Sequence, residues 1–224
     1  MFSSQRLSAF ATAMAALAAS CTAATPHIKA GADMTYAPKA ETPVKAPAAA
    51  LEVVDFWKAA GPSKWFAKDG EFDRDFYERF ADLHEAAARG ELGEWERTAE
   101  GVLALAILLD QFPRNAFRGT PRMFATDAMA REIADRAIRS GLDAQIPADL
   151  RLFVYIPFGH SESLADQERS VALSSALGAN DQKQAMHHRD IIARFGRFPH
   201  RNPILGRAMR PEEQEYLDKG GYRG

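Results

Sequence analysis

Cysteine is nearly absent from this chain, with Cys21 the only one among 224 residues. No intrachain disulfide can form and no cysteine-rich metal site can be built, so the fold must be held by packing. Surplus charge is also lacking. The 28 Lys and Arg stand against 30 Asp and Glu, for a formal net charge of −2. Proteins that bind nucleic acid over a broad surface need many phosphate contacts from excess Lys and Arg, so nucleic acid is not an expected partner. Long apolar runs are missing as well, and no transmembrane segment is expected. No cofactor-binding signature is present, and nothing in the residues sets an oligomeric state.

One excess stands out against this balance. Residues 187–210 hold six arginines, three of the chain's six histidines, no lysine and one acid, Asp190. A guanidinium presents a planar fork that matches carboxylate or phosphate oxygens, where lysine offers only a point charge. The cluster therefore predicts either recognition of an anion or a set of fixed ion pairs.

The first fifty residues differ from the rest. Arg6 and the alanine-rich run 7–20 resemble a short signal peptide, with Cys21 where a lipoprotein cysteine would sit, although Ala18 occupies the place that favours leucine. Residues 22–50 carry Pro26, Pro38, Pro43 and Pro47 among many Ala and Thr, and read as disordered linker. Met34 within it offers an alternative start. A start at Met34 predicts a cytoplasmic protein; a start at Met1 predicts export, with lipidation at Cys21.

From Leu51 onward apolar residues recur at spacings of three and four, and strict alternation between turn signals is not found. This predicts an all-α domain over 51–218, followed by a flexible tail, 219–224. Eight helices are expected, at 51–59, 72–89, 99–111, 123–140, 148–158, 163–177, 181–195 and 212–218. Val102 to Leu109 and Leu150 to Ile156 are apolar on nearly every side, which places them centrally. Short connections favour stacked antiparallel helix hairpins.

Several local patterns carry chemistry. Gly159-His160-Ser161-Glu162-Ser163 falls one residue short of a nucleophile elbow, and lacks the strand and sheet an elbow requires. Ser161 or Ser163 with Asp166 reads instead as a helix cap with a first-turn acid. His188-Arg189-Asp190 copies part of a kinase catalytic loop with no other kinase element around it. His188 shares a helix face with Ala185, Ile192 and Phe195 and should point inward, with His187 elsewhere. Glu168 lies between Leu164 and Val171, so a buried pair of Glu168 with His188 or an arginine is expected. No histidines sit four apart, and no metal site is expected; a mixed set of His160, Glu162, Asp166 and a later histidine is the nearest approach.

Two blocks echo each other. Asp110-Gln111-Phe112-Pro113-Arg114-Asn115 and Phe198-Pro199-His200-Arg201-Asn202 both read as proline-stopped helix ends carrying an Arg-Asn pair. If both face one cleft, Asp110, Arg114, Asn115, Arg194, Arg197, His200, Arg201 and Asn202 would line it. The competing account assigns the same arginines to Asp110, Glu162, Asp166 and Glu168.

These blocks, with Val54-Asp55-Phe56-Trp57, Phe117-Arg118-Gly119-Thr120 and Asp166 to Ser170, resemble the uncharacterised bacterial family known as domain of unknown function 924. The resemblance runs from about Leu51 to Pro211. It implies an all-helical, tetratricopeptide-like right-handed superhelix and no particular activity. Two functions remain open. One is a binding module whose polar cleft holds an anionic small molecule or peptide carboxylate. The other is a hydrolase-type enzyme in the same cleft, with His160, His188 or His200 as acid or base, Glu162, Asp166 or Glu168 orienting it, and arginines stabilising negative charge.

Overall fold

The structure, a computed structural model, describes residues 44–224. The expectations about Cys21 and Met34 lie outside the described residues. Every regular element described is helical: α1 (Ala48–Ala60), α2 (Pro62–Trp65), α3 (Gly70–Ala88), α4 (Ala99–Ala106), α5 (Phe112–Ala116), α6 (Asp127–Ser140), α7 (Ala148–Gly159), α8 (Leu164–Ser174), α9 (Ala179–Phe195) and α10 (Pro211–Asp218), with short 3-10 turns between some of them. No described helix is long and apolar enough to cross a membrane.

Helix α4 is the hub. All of its residues except Glu100 are buried, and it packs on α1, α6 and α7. An element apolar all round must be covered on all sides, as its sequence implied. Its entry is fixed by the Thr98 side chain, which accepts from the Gly101 amide at 3.1 Å, a cap worth about 1 kcal/mol. Gly101 is needed there because a Cβ would lie only 2.0 Å from the Trp95 carbonyl oxygen. Around the hub an aromatic cluster joins α1, α3, α5 and α7. Trp57 meets Phe76 at 5.5 Å and Phe153 at 5.2 Å, and Phe76 meets Phe112 at 5.1 Å. All four are fully buried, and each such side chain contributes about 1.5–3 kcal/mol.

The helix containing Asp110 does not stop at Pro113. Ile107–Gln111 widens into a π-helical turn and α5 continues it, with Pro113 in its first turn. Proline has no N–H and displaces the carbonyl four residues back. The carbonyls released here find side chains instead: Leu109 accepts from the Thr126 hydroxyl, Leu108 pairs with His84 Nδ1 at 2.9 Å, and Asp110 accepts from Arg114 at 2.6 Å. A proline-stopped end at 110–115 is thus corrected to a widened, continuous helix. In the second block the helix does end, but at Gly196 in the left-handed region and not at the proline, and Pro199 opens a separate 3-10 turn, Pro199–Arg201. Smaller shifts occur at α1, which starts at Ala48, and α6, which starts at Asp127 after a 3-10 turn, Pro121–Phe124.

Beyond the main core, α8 lies against both α7 and α9. Ile191, Ile192, Phe195 and Phe198 form a second, smaller apolar cluster on which Tyr216 and Tyr222 pack. The candidate site lies where the π turn, the end of α7, α9 and this second cluster meet.

Candidate functional site

The π turn buries Asp110 completely. Its carboxylate receives Gln111 Nε2 at 2.6 Å, faces His160 Nδ1 at 2.8 Å, and lies 3.2 Å from an Arg114 nitrogen. Burial alone would raise this carboxyl, but the fields of Arg114 and His160 and the two side-chain hydrogen bonds outweigh it and hold it at about 2. An ionised carboxylate can only accept, so Nδ1 of His160 carries the proton and Nε2 presents a lone pair. Burial, then the charge of Arg114, lowers the His160 pKa against the pull of Asp110, so the ring is neutral. Its Nε2 makes no hydrogen bond among the described residues.

Two arginines stand beside this pair in different states. Arg114 is fully engaged, reaching the Asp110 carbonyl and both oxygens of Asp127, at 2.8 and 2.9 Å. Arg201 is 6 % exposed, yet its side chain makes no hydrogen bond among the described residues. Its closest charge is Asp127, 3.9 Å from NH1. Its Cζ lies 4.5 Å from the ring centroids of both Phe124 and Phe198, so aromatic faces replace polar partners. Burial, and then the charge of Arg114, bring its pKa down to about 10. It therefore stays charged at neutral pH while its buried Nε lacks an acceptor.

Histidines complete the surround. His188 is half-buried and His187 exposed, as the helix register predicts. Gly159 has no Cβ, and one placed there would lie 3.0 Å from Ser170 Oγ and 3.7 Å from His188 Nδ1, so glycine lets α9 approach the end of α7. The rings of His160 and His188 stand 6.5 Å apart. His200 packs against Phe198, and its Nδ1 is buried without a partner. Burial, followed by neighbouring positive groups, brings His188 to about 3; burial and Arg201 do the same for His200. Tyr222 covers this group, 4.8 Å from the His188 ring and 5.1 Å from the His200 ring. Gln167 donates to the carbonyls of Gly159 and Ser161 on either side of His160, and its Oε1 is unpaired. Three of the four unpartnered buried side-chain atoms among the described residues thus border one site, the fourth being Trp57 Nε1 in the main core.

The predicted residues divide. Asp110, Arg114, His160, His188, His200 and Arg201 come together. Arg197 and Asn202 do not face this space, because both bind Glu213, whose side chain is fully buried. Asn115 is occupied by Asp73. Arg194 stacks on Phe195 and Tyr216 beside a separate outer cavity. Glu162 is clamped by both terminal nitrogens of Arg207 and accepts the Phe198 amide, which ties the His160 loop to the 198–202 turn. Asp166 takes the Ser161 hydroxyl at 2.6 Å and Arg131 at 3.1 Å. Glu168 is exposed, so the expected buried pair with His188 is not formed. The inward face of α8 is the polar set Gln167, Ser170 and Ser174, while Leu164 is 43 % exposed. Among the described residues no three His, Cys, Asp or Glu converge as metal ligands, and His160, Glu162 and Asp166 each have other partners.

Four contributors were not singled out in the sequence. Asp127 and Phe124 are brought in by the α5–α6 connection, and nothing local distinguishes them from a first-turn acid and a loop aromatic. Gln167 was masked by its neighbour Glu168. Tyr222, an aromatic in a glycine-rich tail, was the one visible signal.

No curated protein matches this chain. A solved structure of a protein of unknown function from Agrobacterium tumefaciens is similar, with 56% sequence identity and a TM-score of 0.75 over 76% of this chain and 97% of that one. A family model described as a bacterial protein of unknown function (DUF924) matches residues 53–221. The all-helical fold and the two arginine blocks resembled that family, and the match over most of the described residues establishes that the chain belongs to it.

Proposed function

We propose that this chain binds a small anion, a phosphate or a small-molecule or peptide carboxylate, against Arg201. The observation that carries the reading is a buried Arg201 Nε with no hydrogen-bonding partner, one residue from a second orphaned ring nitrogen, His200 Nδ1. Arg201 has only a long, 3.9 Å ion contact with Asp127 and no hydrogen bond, and a bidentate oxyanion would supply both in the geometry arginine favours. Arg114 is not free to share this role, since Asp127 and Asp110 occupy it. Calorimetric titration of the full chain with sodium phosphate and sodium succinate at constant ionic strength tests the proposal. Saturable binding that weakens by about ten- to a hundredfold in Arg201→Met is expected. If neither anion binds or raises the wild-type melting temperature, the reading fails.

A second reading is favoured by the Asp110–His160 pair. A carboxylate that fixes Nδ1–H leaves Nε2 as a base, the arrangement by which histidine is oriented for proton transfer. In this reading the anion bound at Arg201 is a substrate whose proton His160 removes or returns. Nitrogen-15 NMR of the histidine rings distinguishes the tautomers. Protonation at Nδ1 of His160 is expected; a proton on Nε2 instead would remove the base.

A further inference from the structure

Tyr222 covers one side of the site just described. The ring of Tyr222 packs on His188 at 4.8 Å, His200 at 5.1 Å, His187 at 5.8 Å and Phe198 at 6.3 Å. Tyr222 also lines a cavity of about 500 Å3, together with His187, Arg194, Glu215, Tyr216, Lys219, Gly220 and Gly221. None of His160, His188, His200 or Arg201 lines that cavity. Tyr222 is therefore shared between this hollow and the partly buried group of histidines and Arg201.

The way Tyr222 is attached matters. Residues 219–224 are fastened to the last turn of α10 and to nothing deeper: Gly220 N donates to Leu217 O at 3.1 Å, Gly221 N to Tyr216 O at 2.9 Å, Tyr222 N to Tyr216 Oη at 3.0 Å, and Arg223 to Leu217 O at 2.7 Å. Among the described residues no hydrogen bond joins this segment to His160, His188, His200 or Arg201. Only ring contacts and the close approach of Gly224 to His200 Nε2 hold it down. Gly220, at φ 84°, occupies the left-handed region, and Gly221 follows it, so a backbone of low stiffness sits just before the ring. A segment held to the domain by ring packing without hydrogen bonds, and with its own local tether, is the kind that opens without unfolding the domain.

We infer that residues 219–224 form a displaceable latch, with Tyr222 as the group covering His188 and His200, and that displacing this ring opens access to Arg201 from the outer cavity. The ligand path rests on the anion reading above; the latch itself does not. Arg194 at the cavity lining supplies a positive approach for such a ligand, while Lys219 beside it is paired with Glu215 at 2.6 Å.

Diethyl pyrocarbonate modifies neutral imidazole, and burial keeps His188 and His200 neutral throughout the ordinary pH range, so their rates report access rather than protonation. Modification of the full chain is followed site by site by mass spectrometry. Wild type should show fast His187 and slow His188 and His200. Tyr222→Ala should accelerate the last two by about tenfold or more, Tyr222→Phe should match wild type, and His84, buried in the main core, should stay slow in all three. Rates for His188 and His200 that stay within twofold of wild type in Tyr222→Ala would overturn the latch. Hydrogen exchange in the wild type provides a second measurement that needs no variant. The Tyr222 amide should exchange far faster than that of Ile192; equal protection means a static wall and overturns the inference. Phosphate separates the two readings. If the histidines open in Tyr222→Ala but phosphate binds no form, the anion proposal falls and the latch stands. If phosphate binds wild type and Tyr222→Ala with equal association rates and the histidine rates are also equal, the latch falls alone.

Discussion

The two Arg-Asn blocks share their letters and have opposite fates. In 110–115 the proline is absorbed into a continuous helix through a π turn, and both polar residues are consumed: Arg114 by Asp110 and Asp127, Asn115 by Asp73. In 198–202 the proline starts a new turn, Asn202 is consumed by Glu213, and Arg201 is left between two aromatic rings with no hydrogen bond. The difference teaches that an arginine's neighbours in sequence do not decide whether it is structural or available. What decides it is whether an acid arrives from another element, and Asp127 at the start of α6 is close enough to hydrogen-bond only one of the two.

The comparison is broken most severely at Arg114. Arg114→Met leaves Asp110 and Asp127 buried without their main cation, and loss of one partner from a buried ion pair costs about 3–5 kcal/mol. Chemical denaturation should show a loss of that size. A change under about 1 kcal/mol would mean that the carboxylates are better solvated than their burial implies.

Acid provides a smaller and graded test. His188 and His200 have folded pKa values lowered to about 3, whereas an unfolded histidine titrates near 6.5. Between those values the unfolded chain binds protons that the folded chain refuses, so stability falls as pH drops from about 6.5 toward 3. Each histidine contributes at most about 1.4 kcal/mol per pH unit, and less if displacing Tyr222 lets it protonate in place. Asp110, held at about 2, has the opposite history: its contribution is present above about pH 4 and is lost below that, as pH falls through 2. Melting temperatures measured from pH 7 to 4.5 should decline, and the slope should flatten in His188→Phe. A flat profile in the wild type would show that these histidines titrate normally.

Much of the fold was legible and much of the site was not, for reasons visible in single residues. Spacings of three and four gave the helices, and the run Val102 to Leu109 gave the buried centre, because burial acts on every residue of a helix that is surrounded. Pro113 was misread, since its effect depends on Thr126, His84 and Arg114 rescuing the freed carbonyls from other positions. Glu168 was misread because α8 turns small and polar residues inward, where an apolar face was assumed. The Asp110–His160 pair spans 50 residues, and no local spacing encodes it. His188 was read correctly because its helix has an ordinary apolar face.

The smallest stability effect should come from Arg201, and its smallness is the point. Arg201→Met removes no hydrogen bond and only a 3.9 Å contact with Asp127, which keeps both bonds from Arg114. It also removes a charge whose burial already disfavours it, and methionine keeps apolar contact with Phe124 and Phe198. The lost stacking, about 0.5–2 kcal/mol, is therefore offset by relief of desolvation, and the net change should stay within about 1 kcal/mol of zero. Loss of charged hydrogen bonds to a bound anion should at the same time weaken binding by about ten- to a hundredfold. Arg201→Lys should not restore it, because an ammonium neither forks onto two oxygens nor stacks between two rings in the same way. If Arg201→Met destabilises the protein as much as Arg114→Met does, the two blocks are alike after all and Arg201 is a structural residue.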